Sequence, residues 1–295
     1  MEAIQQLSPQ NVITKIDKRS NITRRELIKE YIEPAIPVVL TDATKEWKAM
    51  GKFTPQFFKE NYKHLSKEVK GKTYAMSDYI DLMLASTPEN PAPYPYNFNL
   101  ERFAPELLDD MKPEIVYAKS DRVKHPLLPK FMLSGTEVYE LFLGGNGSAF
   151  PFLHVDALFL HTQITQLYGS KDFFFFSPDQ TPFMYPKEDN PKISQVNAFN
   201  PDYEKHPLFK KAKPIKVTVE EGETVLFPTK WWHTTQINEP CISLGRVHLN
   251  ASNWDDFTTD NFLSLKKYNP KLALPALIYG KVLGQLINLQ EIIGS

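Results

Sequence analysis

A β-barrel or β-sandwich decorated with helices is the architecture this chain predicts. Three observations carry it: strands and turns crowd the middle, helical spacing marks both ends, and no internal repeat is present. The 295 residues suffice for one large or two modest domains with a sizeable core. Hydrophobic content of 42% and charged content of 23% fit a soluble globular protein.

The elements follow in order. Asn21-Ile22-Thr23 caps a helix over residues 24–31, with Leu27, Ile28 and Tyr31 at helical spacing. Pro34 and Pro37 turn the chain into a short buried strand, Val38-Val39-Leu40. Thr54-Pro55 has the cap-then-proline signature of a helix start, and Ser77 is the expected cap of the next helix. A proline-rich run precedes the half-buried strand at Tyr94-Pro95-Tyr96-Asn97-Phe98.

From Val138 the character changes to strands and turns. Tyr139-Glu140-Leu141-Phe142-Leu143 ends in a turn, Gly144-Gly145-Asn146-Gly147-Ser148. Residues 158–167 and 171–176 read as strands around Tyr168-Gly169-Ser170. Four consecutive phenylalanines, Phe173 to Phe176, cannot alternate with water, so that strand is buried on both faces or packed beneath a helix layer. Residues 181–214 are polar and proline-rich with little periodicity, which reads as a lid over a site. Strands at 215–219, 224–227 and 242–249 complete the middle before a helical C-terminus. The division expected is 1–255 for the barrel domain with its N-terminal helices, the core over 136–252, and 256–295 for a helical extension.

Charge and cysteine usage narrow the function classes. A net charge of -1 provides no global field for nucleic acid or an anionic membrane, and Lys210-Lys211-Ala212-Lys213 reads as a solvated loop. A single cysteine, Cys241, excludes an internal disulfide and fits a reducing compartment, with a packing role. Residues 1–21 hold no apolar signal-like segment. The apolar stretch 272–293 is interrupted by Pro275, Lys281, Gln285, Asn288, Gln290 and Glu291, so it reads as a packed helix or a homodimer seam rather than a span. The expectation is a cytoplasmic protein without nucleic-acid or membrane partners.

Two short stretches carry the chemistry. In His154-Val155-Asp156 the outer residues point to one face of an extended segment. In Trp231-Trp232-His233 a second histidine arrives at the end of an apolar strand and turn. Two neutral imidazoles and one carboxylate can occupy one face of an octahedral iron(II), leaving three positions open for substrate and O2. Beside apolar Phe150-Pro151-Phe152-Leu153, an ionised Asp156 is costly unless paired or metal-bound. Trp231 and Trp232 could fix the His233 rotamer and shield an ion from water. Lys171 would come within pairing distance of the His154 strand if the two formed a hairpin. A cation inside a barrel calls for an anion such as a cosubstrate carboxylate, and the alternative is a solvated strand-end lysine. His161 falls on the opposite face from His154, and His248 faces either cavity or core. His64, His125 and His206 read as surface residues. No Walker loop, dinucleotide fingerprint, paired-cysteine zinc motif or nucleophile elbow is present.

With these residues placed, the chain resembles the cupin-like, JmjC-related family of iron(II)- and 2-oxoglutarate-dependent oxygenases, of the asparaginyl-hydroxylase type. The likeness runs over about residues 31–254, including Glu33-Pro34-Ala35-Ile36-Pro37-Val38-Val39-Leu40 and Asn190-Pro191-Lys192-Ile193-Ser194-Gln195-Val196. Its most specific part is Leu226-Phe227-Pro228-Thr229-Lys230-Trp231-Trp232-His233. The resemblance implies a double-stranded β-helix (a cupin or jelly-roll fold), with His154, Asp156 and His233 as metal ligands. It makes Lys171 the partner of the distal 2-oxoglutarate carboxylate and Tyr96 a cosubstrate contact, with Tyr94 competing for that place. Where relatives carry Thr-Pro-x-His, this chain has Phe150-Pro151-Phe152-Leu153-His154, and Ser148 is the candidate replacement for the missing hydroxyl. Where relatives have an asparagine on the final strand, this chain reads Gly245-Arg246-Val247-His248-Leu249-Asn250, so Arg246, His248 or Asn250 takes that role.

The activity implied is hydroxylation of a C–H bond on an amino-acid side chain, in a peptide or protein or in a free amino acid. Two rival classes use the same ligands: a zinc or manganese cupin hydrolase or isomerase, and a barrel that binds metal without turnover.

Overall fold

A computed structural model describes residues 13–115, 117, 121–133, 136 and 138–293. Among the described residues, ten of the twelve strands build two facing sheets of a jelly roll, a double-stranded β-helix with flanking helices. The larger sheet begins with β1 (Asp17–Arg19) and β2 (Val38–Leu40), and β3 (Ser66–Val69) with β4 (Lys72–Ala75) forms a separate hairpin. β5 (Tyr96–Asn99), β6 (Tyr139–Gly144), β7 (His161–Tyr168), β10 (Thr224–Phe227) and β12 (Cys241–His248) complete the larger sheet, in the order β1-β2-β10-β7-β12-β6-β5. β8 (Lys171–Phe176), β9 (Ile215–Val219) and β11 (Trp232–Gln236) form the second, in the order β11-β8-β9.

Strands β7 and β8 do not pair as a hairpin. The chain turns the corner between sheets at Gly169, whose φ of +62° and close approach to the Pro240 carbonyl admit no side chain. Lys171 therefore enters the second sheet facing β12 across the barrel rather than lying beside β7. Phe173 and Phe175 point between the sheets against Phe227 and Trp231. Phe174 meets Phe199 and Phe176 meets Phe209 on the outer face. The strand is thus buried on both faces, and the outer cover is the 181–214 segment rather than a helix layer.

Of the helices, α1 (Arg24–Leu27) starts at a full capping box between Thr23 and Glu26 and widens into a π turn, Ile28–Ile32. Thr54 caps α2 (Pro55–Asn61). Ser77 does not cap α3 (Met76–Leu84): Ala75 holds the cap position, and the Ser77 hydroxyl donates to Asp78 instead. α4 (Leu100–Phe103) is a single turn after β5. These helices cover the outer face of the large sheet, where Tyr79 and Tyr96 stack with ring centroids 3.8 Å apart.

At the C-terminus α5 (Trp254–Tyr268) and α6 (Pro270–Ile293) pack on each other, with the Trp254 indole donating to the Gly280 carbonyl. Ala273, Ala276, Leu283 and Ile287 face inward. The side chain of Ile293 and residues 1–12 lie outside what the structure describes. The polar residues that interrupt this helix tie it to the protein: Lys281 pairs with Asp255, and Asn288 and Glu291 accept from buried Arg122. They do not make the helix polar overall. Its span Pro270–Glu291, 22 residues containing an 18-residue window of mean hydropathy 1.4, is long and apolar enough to cross a membrane by length and composition, and 33% of that window is buried.

Candidate active site

His154 and Asp156 come from an irregular segment between β6 and β7, and His233 from the start of β11. The two histidines bind each other reciprocally through the backbone: each amide donates to the other's carbonyl, at 3.0 and 2.8 Å. That pairing brings the rings to 4.2 Å between centroids. Both Nε2 atoms face Asp156 Oδ1, at 3.5 Å from His154 and 3.7 Å from His233, and the three candidate donor atoms lie within 4.8 Å of one another.

Of the remaining atoms, His154 Nδ1 is buried and makes no hydrogen bond among the described residues, while those of His233 and Asp156 are fixed by partners. His233 Nδ1 lies 3.1 Å from the Trp231 carbonyl, which can only accept, so Nδ1 carries the proton and Nε2 keeps its lone pair. Asp156 Oδ2 accepts the Thr162 hydroxyl at 2.5 Å, which orients Oδ1 toward the imidazoles. Burial penalises the Asp156 charge, yet His233, His154 and Thr162 together hold its carboxyl well below the usual carboxylate range. Burial first, then neighbouring His154, pushes the His233 imidazole down to about 4. A neutral nitrogen donor and an ionised carboxylate at physiological pH suit an open iron(II) site.

The triad opens into a cavity of about 260 Å³ between the sheets, walled by Phe142, Phe150, Phe173, Phe227, Ile164 and Val247. Lys171, 3% exposed, lies in it and donates to the Ser243 hydroxyl at 2.6 Å and to the Tyr94 hydroxyl at 3.2 Å. Burial pushes its amine below the ordinary lysine range, and among the described residues no carboxylate pairs with it. A cation so placed favours an anionic guest. Gly245 keeps the cavity open: a Cβ there would press on Phe142 at 3.0 Å and Ile164 at 3.4 Å.

Several expected contacts lie elsewhere. Tyr96 is fully buried on the helix side of the sheet and donates to the Tyr74 carbonyl, so Tyr94, just before β5, is the tyrosine at Lys171. Ser148 donates to the Ala92 carbonyl and does not line the cavity. Strand alternation turns the His248 ring away from the cavity. On β12, Gly245, Arg246 and Val247 border the cavity, but the Arg246 guanidinium and the His248 ring reach out on the other face. There the Arg246 guanidinium sits over Tyr139 near Glu114 and Asp121, and His248 bonds Gln163 and Asp121. Asn250 donates to the Tyr117 hydroxyl.

The 181–214 segment contributes no residue to the cavity lining. It backs the ligand loop from outside, through Ser194 N–H to the Leu153 carbonyl and the Trp232 indole to the Thr181 hydroxyl. Trp231 likewise acts through its carbonyl, not its ring, which donates to the Ala35 carbonyl in the core. Thr162, Ser243 and Gly245 were not singled out by sequence. Their signal was available: all three occupy strand positions of the face that carries Ile164 and Val247.

His161 is buried away from the triad. It accepts the Thr229 amide at Nδ1, leaving Nε2 beside the Ser252 hydroxyl. Burial first, then His248, pushes it down to about 3, and His248 is itself lowered by burial. An unfolded imidazole titrates near 6.5, so between about 6.5 and 3 the unfolded chain binds protons that the native protein does not, and stability falls with pH. From pH 6.5 to 5, His161 alone costs about 2 kcal/mol. Urea unfolding of the metal-free protein is expected to show a lower midpoint at pH 5 than at pH 7; equal midpoints would contradict a neutral buried His161.

The family model for the cupin-like domain matches residues 24–253. The chain belongs to that family. HSPB1-associated protein 1 of Homo sapiens is 28% identical over 141 residues, 46% of this chain and 27% of that protein. Lysine-specific demethylase JMJ21 of Arabidopsis thaliana is 25% identical over 257 residues, 81% of this chain and 26% of that protein. JmjC domain-containing protein 8 of Mus musculus is 26% identical over 232 residues, 75% of this chain and 77% of that protein. The matched region spans about a quarter of HSPB1-associated protein 1. Cupin-like proteins of the JmjC type are typically iron(II)- and 2-oxoglutarate-dependent oxygenases.

Proposed function

We propose that this cupin-like protein is an iron(II)- and 2-oxoglutarate-dependent dioxygenase. It hydroxylates a C–H bond of an amino-acid side chain, in a peptide or protein or in a free amino acid. The observation that carries this reading is the buried Lys171 ammonium in the same apolar cavity as the His154–Asp156–His233 triad. A hydrolytic or isomerising metal site has no need of a desolvated cation in that position, whereas a dicarboxylate cosubstrate does. Iron(II), when bound with 2-oxoglutarate, supplies the oxidative decarboxylation that activates O2 toward a C–H bond.

The chain's own residues do the rest. His154, Asp156 and His233 would hold the metal on one face and leave the cavity side open. Lys171, set by Ser243 and Tyr94, would hold the far carboxylate of the cosubstrate. Phe142, Phe150, Phe173 and Phe227 exclude water around the reacting groups. The names of two relatives, a lysine-specific demethylase and a protein associated with HSPB1, favour a protein substrate over a free amino acid. The test is anaerobic reconstitution with iron(II) and 2-oxoglutarate, then admission of O2 to peptide and amino-acid pools. Succinate release with a one-oxygen mass gain is expected. Metal uptake without 2-oxoglutarate decarboxylation would favour a non-oxygenase metalloenzyme or a binding protein.

We also propose that α6 pairs with a second copy of the chain. Leu274, Ile278, Val282, Leu286 and Leu289 recur at intervals of four, four, four and three residues, and each is exposed. The stripe bears no charge and suits helix-on-helix packing. Sedimentation of the wild type is expected to give a dimer and of Ile278→Asp a monomer. A monomeric wild type that floats with vesicles would replace this reading with a membrane-binding one.

A further inference from the structure

His154 and Asp156 sit on an irregular segment and His233 just after the turn into β11, and contacts from outside the barrel reach both. The His154–Asp156 segment makes only isolated bridges, among them Val155 N–H to the Lys192 carbonyl at 2.8 Å. His233 follows Lys230, which has a left-handed φ of 71°. Between the two lies Phe159, also left-handed at φ 49°, three residues beyond Asp156. Lys192 and Lys230 both reach this ring, with their Nζ atoms 4.8 and 5.7 Å from its centroid. Each then ends on an aspartate of α5: Lys192 Nζ on Asp260 at 2.5 Å and Lys230 Nζ on Asp256 at 2.8 Å. Asp256 and Asp260 stand four residues apart, one above the other on a single helix face. Asn253, at the head of the same helix, donates to the Phe159 carbonyl at 3.0 Å.

We propose that α5 is a clamp on the metal centre, with Asp256 and Asp260 as positioning residues that hold the two ligand-bearing segments in register across Phe159. The inference rests on the reading of His154, Asp156 and His233 as metal ligands. An isolated ion pair at this exposure contributes little to global stability. Metal affinity is more demanding, because donor atoms must be held to a fraction of an ångström. One helix gripping both segments removes their freedom to move apart. The clamp thus tunes ligand geometry with small effect on folding.

The test uses the full chain and cobalt(II), whose visible spectrum reports ligand geometry without turnover. For Asp256→Asn/Asp260→Asn the expected result is cobalt affinity weakened about tenfold, at the low end for outer-shell groups, with an altered ligand-field spectrum. The unfolding midpoint without metal stays near that of the wild type. The reversed pair Lys192→Asp/Asp260→Lys should restore the affinity and spectrum lost in Asp260→Lys alone. Wild-type affinity and spectrum in the double Asn variant would overturn the clamp. So would a loss of affinity that only follows a matching loss of metal-free stability. A His154→Ala control that binds cobalt as tightly as the wild type would instead overturn the ligand assignment, and the clamp with it. If the double variant does not fold, the single Asp260→Asn and the reversed pair give the same decision.

Discussion

Asp156→Ala is expected to yield a folded protein that neither retains iron(II) nor releases succinate when given 2-oxoglutarate and O2. The carboxylate is the one anionic donor of the triad, and the Thr162 hydroxyl donates to its other oxygen. Without it the site keeps two neutral nitrogen donors, too few and too weakly charged to hold a labile dication. His154→Ala should do the same by removing one of the two Nε2 atoms that face Asp156. The structural cost of Asp156→Ala is confined to the Thr162 hydroxyl, which loses its acceptor at about 1–3 kcal/mol. Metal content after gel filtration and succinate yield are the readouts. Undiminished substrate-coupled succinate release from either variant would refute the assignment.

Lys171→Met is expected to have opposite effects on folding and on cosubstrate binding. Lys171 is buried among Tyr94, Phe142 and Ser243, and its charge is disfavoured there. Methionine has similar length and no charge, so the metal-free variant should unfold at an equal or higher temperature. The lost charge-assisted contact to a carboxylate is worth about 1.5–3 kcal/mol, which raises the KM for 2-oxoglutarate about ten- to hundredfold. The sign of the pH dependence follows from burial. The amine titrates below an ordinary lysine, and a carboxylate needs it protonated, so KM should climb on the alkaline side before a free lysine would lose its proton. Lys171→Met should abolish that climb. An unchanged KM would remove Lys171 from the cosubstrate site.

Much of this was legible from residue types. Thr23 with Glu26, and Thr54 with Pro55, announced helix starts because capping is a local transaction between neighbouring backbone amides and a short side chain. The Ser77 cap failed because Ala75 already ends β4, so the helix begins two residues earlier than a Ser77 cap allows. The expected hairpin at Gly169 failed for a different reason. A tight turn looks the same whether the chain doubles back in one sheet or crosses to the facing one, and the choice depends on partners far away in sequence. The 181–214 segment was read as a lid from its lack of periodicity. Its apolar residues, Met184, Val196 and Phe209, are instead spent on packing against Leu153 and Trp232.

Sequence alone determined which side chains could make the chemistry: a histidine and an aspartate two apart, a histidine closing an apolar strand, and a lysine after a glycine corner. Those are statements about donor atoms and local spacing, and they survive without knowledge of neighbours. Only the tertiary structure decided which alternate residues look inward. Period two separates the His248 side chain from those of Gly245 and Val247, but it cannot say which face meets the cavity. That depends on β12 lying between β6 and β7, with Gly245 opposite Glu140 on one side and Ile164 on the other. The same registry sets Tyr96 beneath the helices and leaves Tyr94 beside Lys171, because a sheet has two faces and only its packing partners distinguish them.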